Sequence, residues 1–397
     1  FAGMYPTNEQ YKVYPGEYSY KYPKPGEDNS KVTAWVYNLD NGSTKQYNLP
    51  LDADGYIPRI KTTADAGRII LYTMNRHQDC LRLYNANTTT GETSLLLEES
   101  VEKYVKSEAM GDIAIMKDYI LVPSDRDGHL HLYLYNKEGK LLRQIEKGDY
   151  DVTAIYGYDA ATGNTYFQAA RRSPMQREIY VADKKGRVTA LAGTEGWNDA
   201  TFSGDYRYFL NCWSDANHPY VYTIMDRKGK VVREVLNNDK LTQDLAQFEP
   251  TKKEFFTFTT SEGVSLNGWM IKPADFDPTK KYPVIMHQYS GPGSQQVTDS
   301  WSIGSMGNGG LFDYYLTQKG YIIVSVDGRG TGGRGAEFEK CTYLNIGDLE
   351  SKDQVEAAIW LGKQDYIDAT RIGIWGWSYG GFCTLMSMSE GRPVFKA

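Results

Sequence analysis

Three features of the 397-residue sequence predict a β-propeller followed by a mostly parallel α/β domain: a hairpin recurring every forty-odd residues, a change of texture near residue 250, and a glycine-flanked serine after a buried strand. The propeller is expected over residues 1–248 and the α/β domain over 249–397.

The recurring unit is an apolar-aromatic strand, a polar turn ending in Gly, and a second strand with apolar alternation. Trp35-Val36-Tyr37 leads to Gly42, Leu83-Tyr84 to Gly91, Leu134-Tyr135 to Gly139, Ile179-Tyr180-Val181 to Gly186, and Tyr222-Thr223-Ile224 to Gly229. These glycines stand 49, 48, 47 and 43 residues apart. Such even spacing, in a chain with 32 tyrosines and 39 glycines, fits propeller blades better than the unrelated hairpins of a sandwich. Glycine supplies the positive φ that a tight or bulged hairpin demands. About five blades are visible. The Tyr/Pro-rich stretch before Trp35 reads as irregular, so the propeller is expected to be incomplete here, with further blades upstream of Phe1.

Composition narrows the function classes. With 41% hydrophobic and 24% charged residues and a formal net charge of -6, the chain reads as soluble and globular and offers nucleic acid no electrostatic attraction. Cys80, Cys212, Cys341 and Cys383 lack C-x-x-C spacing, so neither a zinc site nor a dense disulfide framework is encoded. No metal or nucleotide cofactor is expected: Gly328 to Gly335 is glycine-rich but has neither P-loop spacing nor a following Lys-Ser/Thr. No apolar run is long enough to span a bilayer. Phe1-Ala2-Gly3-Met4-Tyr5 has no initiator Met or signal region, and the chain is read as starting inside a longer protein.

After about residue 250 the pattern changes. Glu254 to Phe258 and Leu266 to Ile271 read as an antiparallel pair. Pro283 to Met286, Tyr321 to Val326 and Arg371 to Trp375 are short apolar runs of the buried-strand kind. Helical stretches separate them, Leu311 to Lys319 and, more clearly, Lys352 to Lys363, where Val355, Ala358, Ile359 and Leu361 supply an apolar face. Strands alternating with helices imply right-handed crossovers and a parallel sheet.

Gly376-Trp377-Ser378-Tyr379-Gly380 fits G-x-S-x-G after a buried strand and before the helix-like Phe382 to Met388, the context of a nucleophile elbow. This makes the second domain part of an α/β-hydrolase fold, with Ser378 as nucleophile. Its acid and base should follow it in sequence order, yet Tyr379 to Ala397 holds no histidine and only Glu390 as a carboxylate. The charge-relay partners are therefore expected outside the sequence. Of the five histidines, His77, His129, His131 and His218 fall in the repeat and read as surface or packing residues. His287, at the end of a central strand, reads as structural.

These residues and three further segments carry a resemblance: Tyr289-Ser290-Gly291-Pro292-Gly293-Ser294-Gln295, Asp327-Gly328-Arg329-Gly330-Thr331 and Tyr22-Pro23-Lys24-Pro25-Gly26-Glu27. Over nearly its whole length the sequence resembles the dipeptidyl peptidase IV branch of the prolyl oligopeptidase family. The resemblance implies a serine exopeptidase that releases N-terminal dipeptides with proline or alanine in the penultimate position. Peptides with a free amino terminus would be its partners. Tyr289 would give its phenol, and Tyr379 its backbone N–H, to the oxyanion, while Trp377, Tyr379 and Tyr289 would contact substrate. Asp327 and Arg329 are read as a turn-fixing pair. The paired glutamates that anchor the substrate amine in this family are expected upstream of Phe1, and Glu98-Glu99 is read as an ordinary solvated pair. An extracytoplasmic homodimer is implied, and the fragment alone is expected to be inactive. The alternatives are a prolyl tripeptidyl or acylaminoacyl peptidase of the same family, and a non-catalytic peptide-binding propeller protein.

Overall fold

The computed structural model of the protein describes residues 3–9, 11–248, 251–302 and 311–397. It packs as two compact units, one of residues 1–124 and 133–143, the other of residues 125–132 and 144–397. The boundary drawn at 248/249 falls within the second unit, and residue 249 lies outside the described residues.

In the first unit, Met4–Asn8 (β1) pairs antiparallel with Glu17–Lys21 (β2), so the stretch read as irregular contains a hairpin. Tyr18 and Tyr20 share a face with ring centroids 5.9 Å apart, and both stay exposed. Pairing on a wet surface leaves no buried-strand pattern in the sequence. Trp35–Tyr37 (β3) then pairs with Thr44–Gln46 (β4). The first four-stranded sheet contains Ile60–Thr62 (β5), Arg68–Met74 (β6), Cys80–Asn87 (β7) and Thr93–Ser100 (β8). After the short helix Ser107–Asp112 (α1) come Ala114–Ile115 (β9), Tyr119–Ser124 (β10), His131–Asn136 (β11) and Leu141–Gln144 (β12). His131, Leu132 and Gln144 fall in the residue ranges of the second unit. Ile70, Tyr72, Leu83, Ile120, Val122 and Tyr133 are fully or nearly buried in one cluster of the first unit.

The second unit holds two more such sheets. One is Val152–Asp159 (β13), Asn164–Ala169 (β14), Glu178–Ala182 (β15) and Val188–Ala192 (β16). The other is Trp197–Phe202 (β17), Tyr208–Asp215 (β18), His218–Asp226 (β19) and Val231–Leu236 (β20). In all four sheets spatial order follows sequence order, the meander from which propeller blades are built. All five expected hairpins form. Their turn glycines, Gly42, Gly91, Gly139, Gly186 and Gly229, have φ of 68, 74, 82, 81 and 81°, the left-handed values that select glycine.

After the helix Asp239–Ala246 (α2), a five-stranded sheet takes over. Its strands are Lys253–Thr259 (β21), Ser265–Ile271 (β22), Tyr282–His287 (β23), Ile322–Asp327 (β24) and Ile367–Trp375 (β25), in the order β21-β22-β24-β23-β25. The first two are antiparallel to their neighbours, and the last three are mutually parallel. Strand alternation splits β24 between two cores. Ile322, Val324 and Val326 join Val355, Ala358 and Leu361 of the helix Asp348–Leu361 (α5). Ile323 turns to the other face, where Tyr314 and Leu316 of Phe312–Gln318 (α3) pack. A short helix, Gly335–Glu339 (α4), precedes α5, and Tyr379–Met388 (α6) follows β25.

Both α5 and α6 begin earlier than expected, at Asp348 instead of Lys352 and at Tyr379 instead of Phe382. The first turn of α5 is polar, which hides it from apolar periodicity, although Asp348 and Glu350 there suit the helix dipole. Among the described residues all four cysteines are free, and no helix is long and apolar enough to cross a membrane.

The turn glycines generate a test. A methyl on Gly139 would stand 1.8 Å from the Leu96 carbonyl oxygen, whereas at Gly26, with φ of 86°, nothing lies within 4 Å. Gly26→Ala should carry only the left-handed backbone penalty of about 1–2 kcal/mol. Gly139→Ala should lose clearly more, read as a larger drop in the urea midpoint.

Candidate active site

Parallel pairing aligns the carboxyl ends of the three central strands: His287 is opposite both Ser325 and Trp375. Loops leaving such ends form the crevice of open α/β sheets. Three do so here, residues 288–296, 328–334 and 376–378.

Ser378 lies at the turn from β25 into α6, exposed, with φ 56° and ψ -116°. Residues at positive φ outside glycine are strained and persist only when their surroundings hold them. The surroundings here are close. A methyl at Gly376 or Gly380 would meet the Gln288 carbonyl oxygen at 2.4 or 2.5 Å, so both flanking positions require glycine and the elbow fits tightly on the β23 loop. The Gln288 side chain, fully buried, donates to the Gly380 carbonyl at 2.6 Å and to Thr384 Oγ1 at 3.1 Å. As the first residue of α6, Tyr379 has a backbone N–H with no intrahelical acceptor. It stands directly after Ser378, at the positive end of the helix dipole.

Tyr289 follows Gln288 and is half-buried, its ring centroid 6.1 Å from that of Tyr379. Among the described residues its phenol makes no hydrogen bond, whereas the Tyr379 phenol donates to Glu350 Oε1 at 2.8 Å. Burial, then that carboxylate, pushes the Tyr379 pKa up. The structure thus brings Ser378, Tyr289 and Tyr379 to one edge of the sheet. Trp377 is 76% exposed beside them.

The Tyr289 loop is tied at its far end. Gly293 N–H donates to the Gly330 carbonyl at 2.9 Å and Gly332 N–H to the Ser294 carbonyl at 3.0 Å. Gln295 Nε2 donates to the Pro174 carbonyl, and Arg177 Nη2 to Gln295 Oε1, each at 2.6 Å. Burial lowers the Arg177 pKa to about 10; its guanidinium sits 4.4 Å from the Trp197 ring centroid.

Asp327 and Arg329 do not pair with each other, contrary to the sequence reading. Asp327 accepts the backbone N–H groups of Gln296 and Val297 at 3.0 and 2.8 Å. Burial raises its pKa to about 6 against those two bonds. Arg329 instead forks onto Asp353, with Nη2 to Oδ1 at 2.6 Å and Nε to Oδ2 at 3.0 Å, and reaches Glu262 at 2.9 Å. Each residue fixes a different segment. Glu98 and Glu99 are not a solvated pair, contrary to the expectation from sequence. Glu98 pairs with Arg82 at 2.6 Å, but Glu99 is buried and accepts from Ser124, because strand alternation sends neighbours to opposite faces.

His287 is buried against Trp375, ring centroids 4.8 Å apart, and no hydrogen bond joins it to Ser378. His131, in contrast, is held by Glu146 at 2.8 Å and by the Gly148 carbonyl at 3.0 Å. Burial opposes its charge, but the carboxylate prevails and its pKa rises. Among the described residues no cluster of side chains could hold a metal ion.

Sequence reasoning missed Gln288, Glu350, Asp353 and Gln354. All four are fully buried. The last three share one face of α5 at i, i+3 and i+4, a spacing visible in the sequence.

A serine on a strained elbow at the carboxyl edge of this sheet is the α/β-hydrolase arrangement. The model of the dipeptidyl peptidase IV N-terminal region matches residues 2–220, and that of the prolyl oligopeptidase family matches residues 312–397. The protein belongs to the dipeptidyl peptidase IV family, with the propeller and α/β-hydrolase architecture of that family. The crystal structure of Porphyromonas gingivalis dipeptidyl peptidase 4 superposes with a TM-score of 0.93 at 42% identity, covering 100% of this chain and 56% of that one. Dipeptidyl peptidase 4 of Arthroderma otae and of Trichophyton equinum are each 30% identical over 401 residues, 96% of this chain. The chain spans 50% of the length of these two relatives.

The buried imidazole gives a pH prediction. Burial lowers the His287 pKa from 6.5 to about 4, so the folded state favours the neutral ring. That contribution is complete above pH 6.5 and is lost as the pH falls toward 4, about 3 kcal/mol in all. Replacing His287 by Phe should flatten this part of the acid limb, seen as a smaller change in denaturation midpoint between pH 7 and pH 4.5.

Proposed function

We propose that the protein is a serine dipeptidyl peptidase, releasing N-terminal dipeptides with proline or alanine in the penultimate position through an acyl-enzyme on Ser378. The observation that carries this reading is the exposed Ser378 at φ 56° with the Tyr379 N–H beside it at a helix start. The similarity to proteins named dipeptidyl peptidase 4 supplies the substrate class.

In this mechanism Ser378 Oγ attacks the carbonyl carbon of the scissile peptide bond and its proton passes to a general base. The carbonyl oxygen becomes an oxyanion, held by the Tyr289 phenol and the Tyr379 N–H. Collapse expels the amine as the base returns the proton, and water then releases the acyl dipeptide by the reverse sequence. The base and its orienting carboxylate are assigned to a segment later in the full-length protein than Ser378, the order of this fold. His287 is a poor candidate, since burial disfavours the imidazolium that a base must become and its ring packs on Trp375. Trp377 and Tyr379 would wall the pocket for the small penultimate side chain. The five glycine-turned hairpins are assigned to five propeller blades, and an extracytoplasmic homodimer acting on peptides with a free amino terminus completes the reading.

The test is covalent and kinetic. A fluorophosphonate should label the full-length protein, and Ser378→Ala should abolish both labelling and turnover; a well-folded protein that is never labelled would favour a binding role. Dipeptidyl-proline anilides should be cleaved in preference to tripeptidyl ones. Tyr289→Phe should lower kcat about 100- to 1,000-fold, the usual loss for one oxyanion donor, with little change in KM.

A further inference from the structure

We propose that Glu350 is a positioning residue of the oxyanion pocket: its buried carboxylate locks the Tyr379 side chain to the start of α5 and thereby fixes the peptide that follows Ser378. The proposal rests on the function assigned above to Ser378 and Tyr379.

The geometry is two-sided. Glu350 is fully buried, and its two carboxylate oxygens are used separately. Oε2 accepts the Gly347 N–H at 2.9 Å, and Oε1 accepts the Tyr379 phenol at 2.8 Å. A cap for α5 alone would need only the first. The second bond runs to the residue whose backbone N–H faces the developing oxyanion. Packing reinforces it. The Phe382 ring stands edge-on to Tyr379 at 5.5 Å, and a methyl on Gly347 would meet the Phe382 ring at 2.7 Å. The first turn of α6 is thus pressed onto the first turn of α5 at a position open only to glycine.

One turn along the same face, Gln354 extends the arrangement toward the second donor. Its Nε2 donates to the Val326 carbonyl at 2.9 Å and lies 3.4 Å from Ser290 Oγ, which donates to Gln288 Oε1 at 2.8 Å. Ser290 and Gln288 flank Tyr289. A single helix face therefore reaches the segments carrying both oxyanion donors, and Glu350 is its direct contact to one of them. Such supporting contacts matter because donors must be aimed before charge develops.

The experiment measures the rate of fluorophosphonate labelling of Ser378 in the full-length protein for the native form, Tyr379→Phe, Glu350→Gln and the double variant, with thermal melts to confirm folding. Glu350→Gln keeps one oxygen to cap the Gly347 N–H but turns only amide N–H groups toward Tyr379, so the charge-assisted bond that the phenol donates is lost. Tyr379→Phe removes the same bond from the other side while leaving the α5 cap, and it carries the test if Glu350→Gln fails to fold. Each single change is expected to slow labelling at least tenfold, with the double variant no slower than the slower single, the signature of one shared interaction. Unchanged labelling in folded single variants, or multiplicative losses in the double, would overturn the proposal while the assignment of Ser378 stands. A native protein that shows no Ser378-dependent labelling would overturn that assignment and this proposal together.

Discussion

The strained backbone at Ser378 sets the terms for its surroundings. A residue held at φ 56° and ψ -116° carries a penalty of about 1–3 kcal/mol and relaxes unless neighbours forbid it. Gly376 and Gly380 permit the Gln288 carbonyl to come so near that no side chain fits between, and the Gln288 amide returns a hydrogen bond to Gly380. The Ser378 loop and the Tyr289 loop are consequently one rigid piece. Movement of either would break contacts that the other needs.

That rigidity is bought with buried polar groups. Gln288, Glu350, Asp353 and Gln354 are completely inaccessible, and burial raises the Asp327 pKa to about 6. Apolar packing of similar volume is often more stable than buried charge. Polar groups concentrated at the carboxyl edge of the sheet, against an apolar interior of Val284, Met286, Ile322, Val324 and Leu361, are better explained by orientation than by stability. Hydrogen bonds fix direction, which dispersion contacts do not.

Local rules made the hairpins legible. A positive φ at Gly42, Gly91, Gly139, Gly186 and Gly229 is a property of the turn itself, and glycine announces it. The elbow was legible for the same reason, its two glycines being required by contacts within reach of one motif. What escaped was non-local or disguised. Arg329 binds Asp353, 24 residues on, and nothing near Arg329 marks that partner. The β1–β2 hairpin pairs on an exposed surface and leaves no buried face to read. The first turn of α5 is acidic and looks solvated, yet only Asp348 stays exposed there, while Glu350 and Ser351 are buried.

Topology explains why that turn is polar. A helix that follows a parallel strand must run back along the sheet, so a right-handed crossover places its N-terminal turns at the strands' carboxyl edge. In α5 the polar side chains Glu350, Asp353 and Gln354 come first, and the apolar Val355, Ala358 and Leu361 follow. The half of the helix beside the loops orients them, and the half beyond anchors it to the core. Because both halves belong to one rigid rod, packing of Leu361 against the sheet and aim of the Tyr379 peptide are mechanically coupled. A cavity opened deep under α5 would therefore loosen the elbow without touching Ser378, Tyr289 or Tyr379.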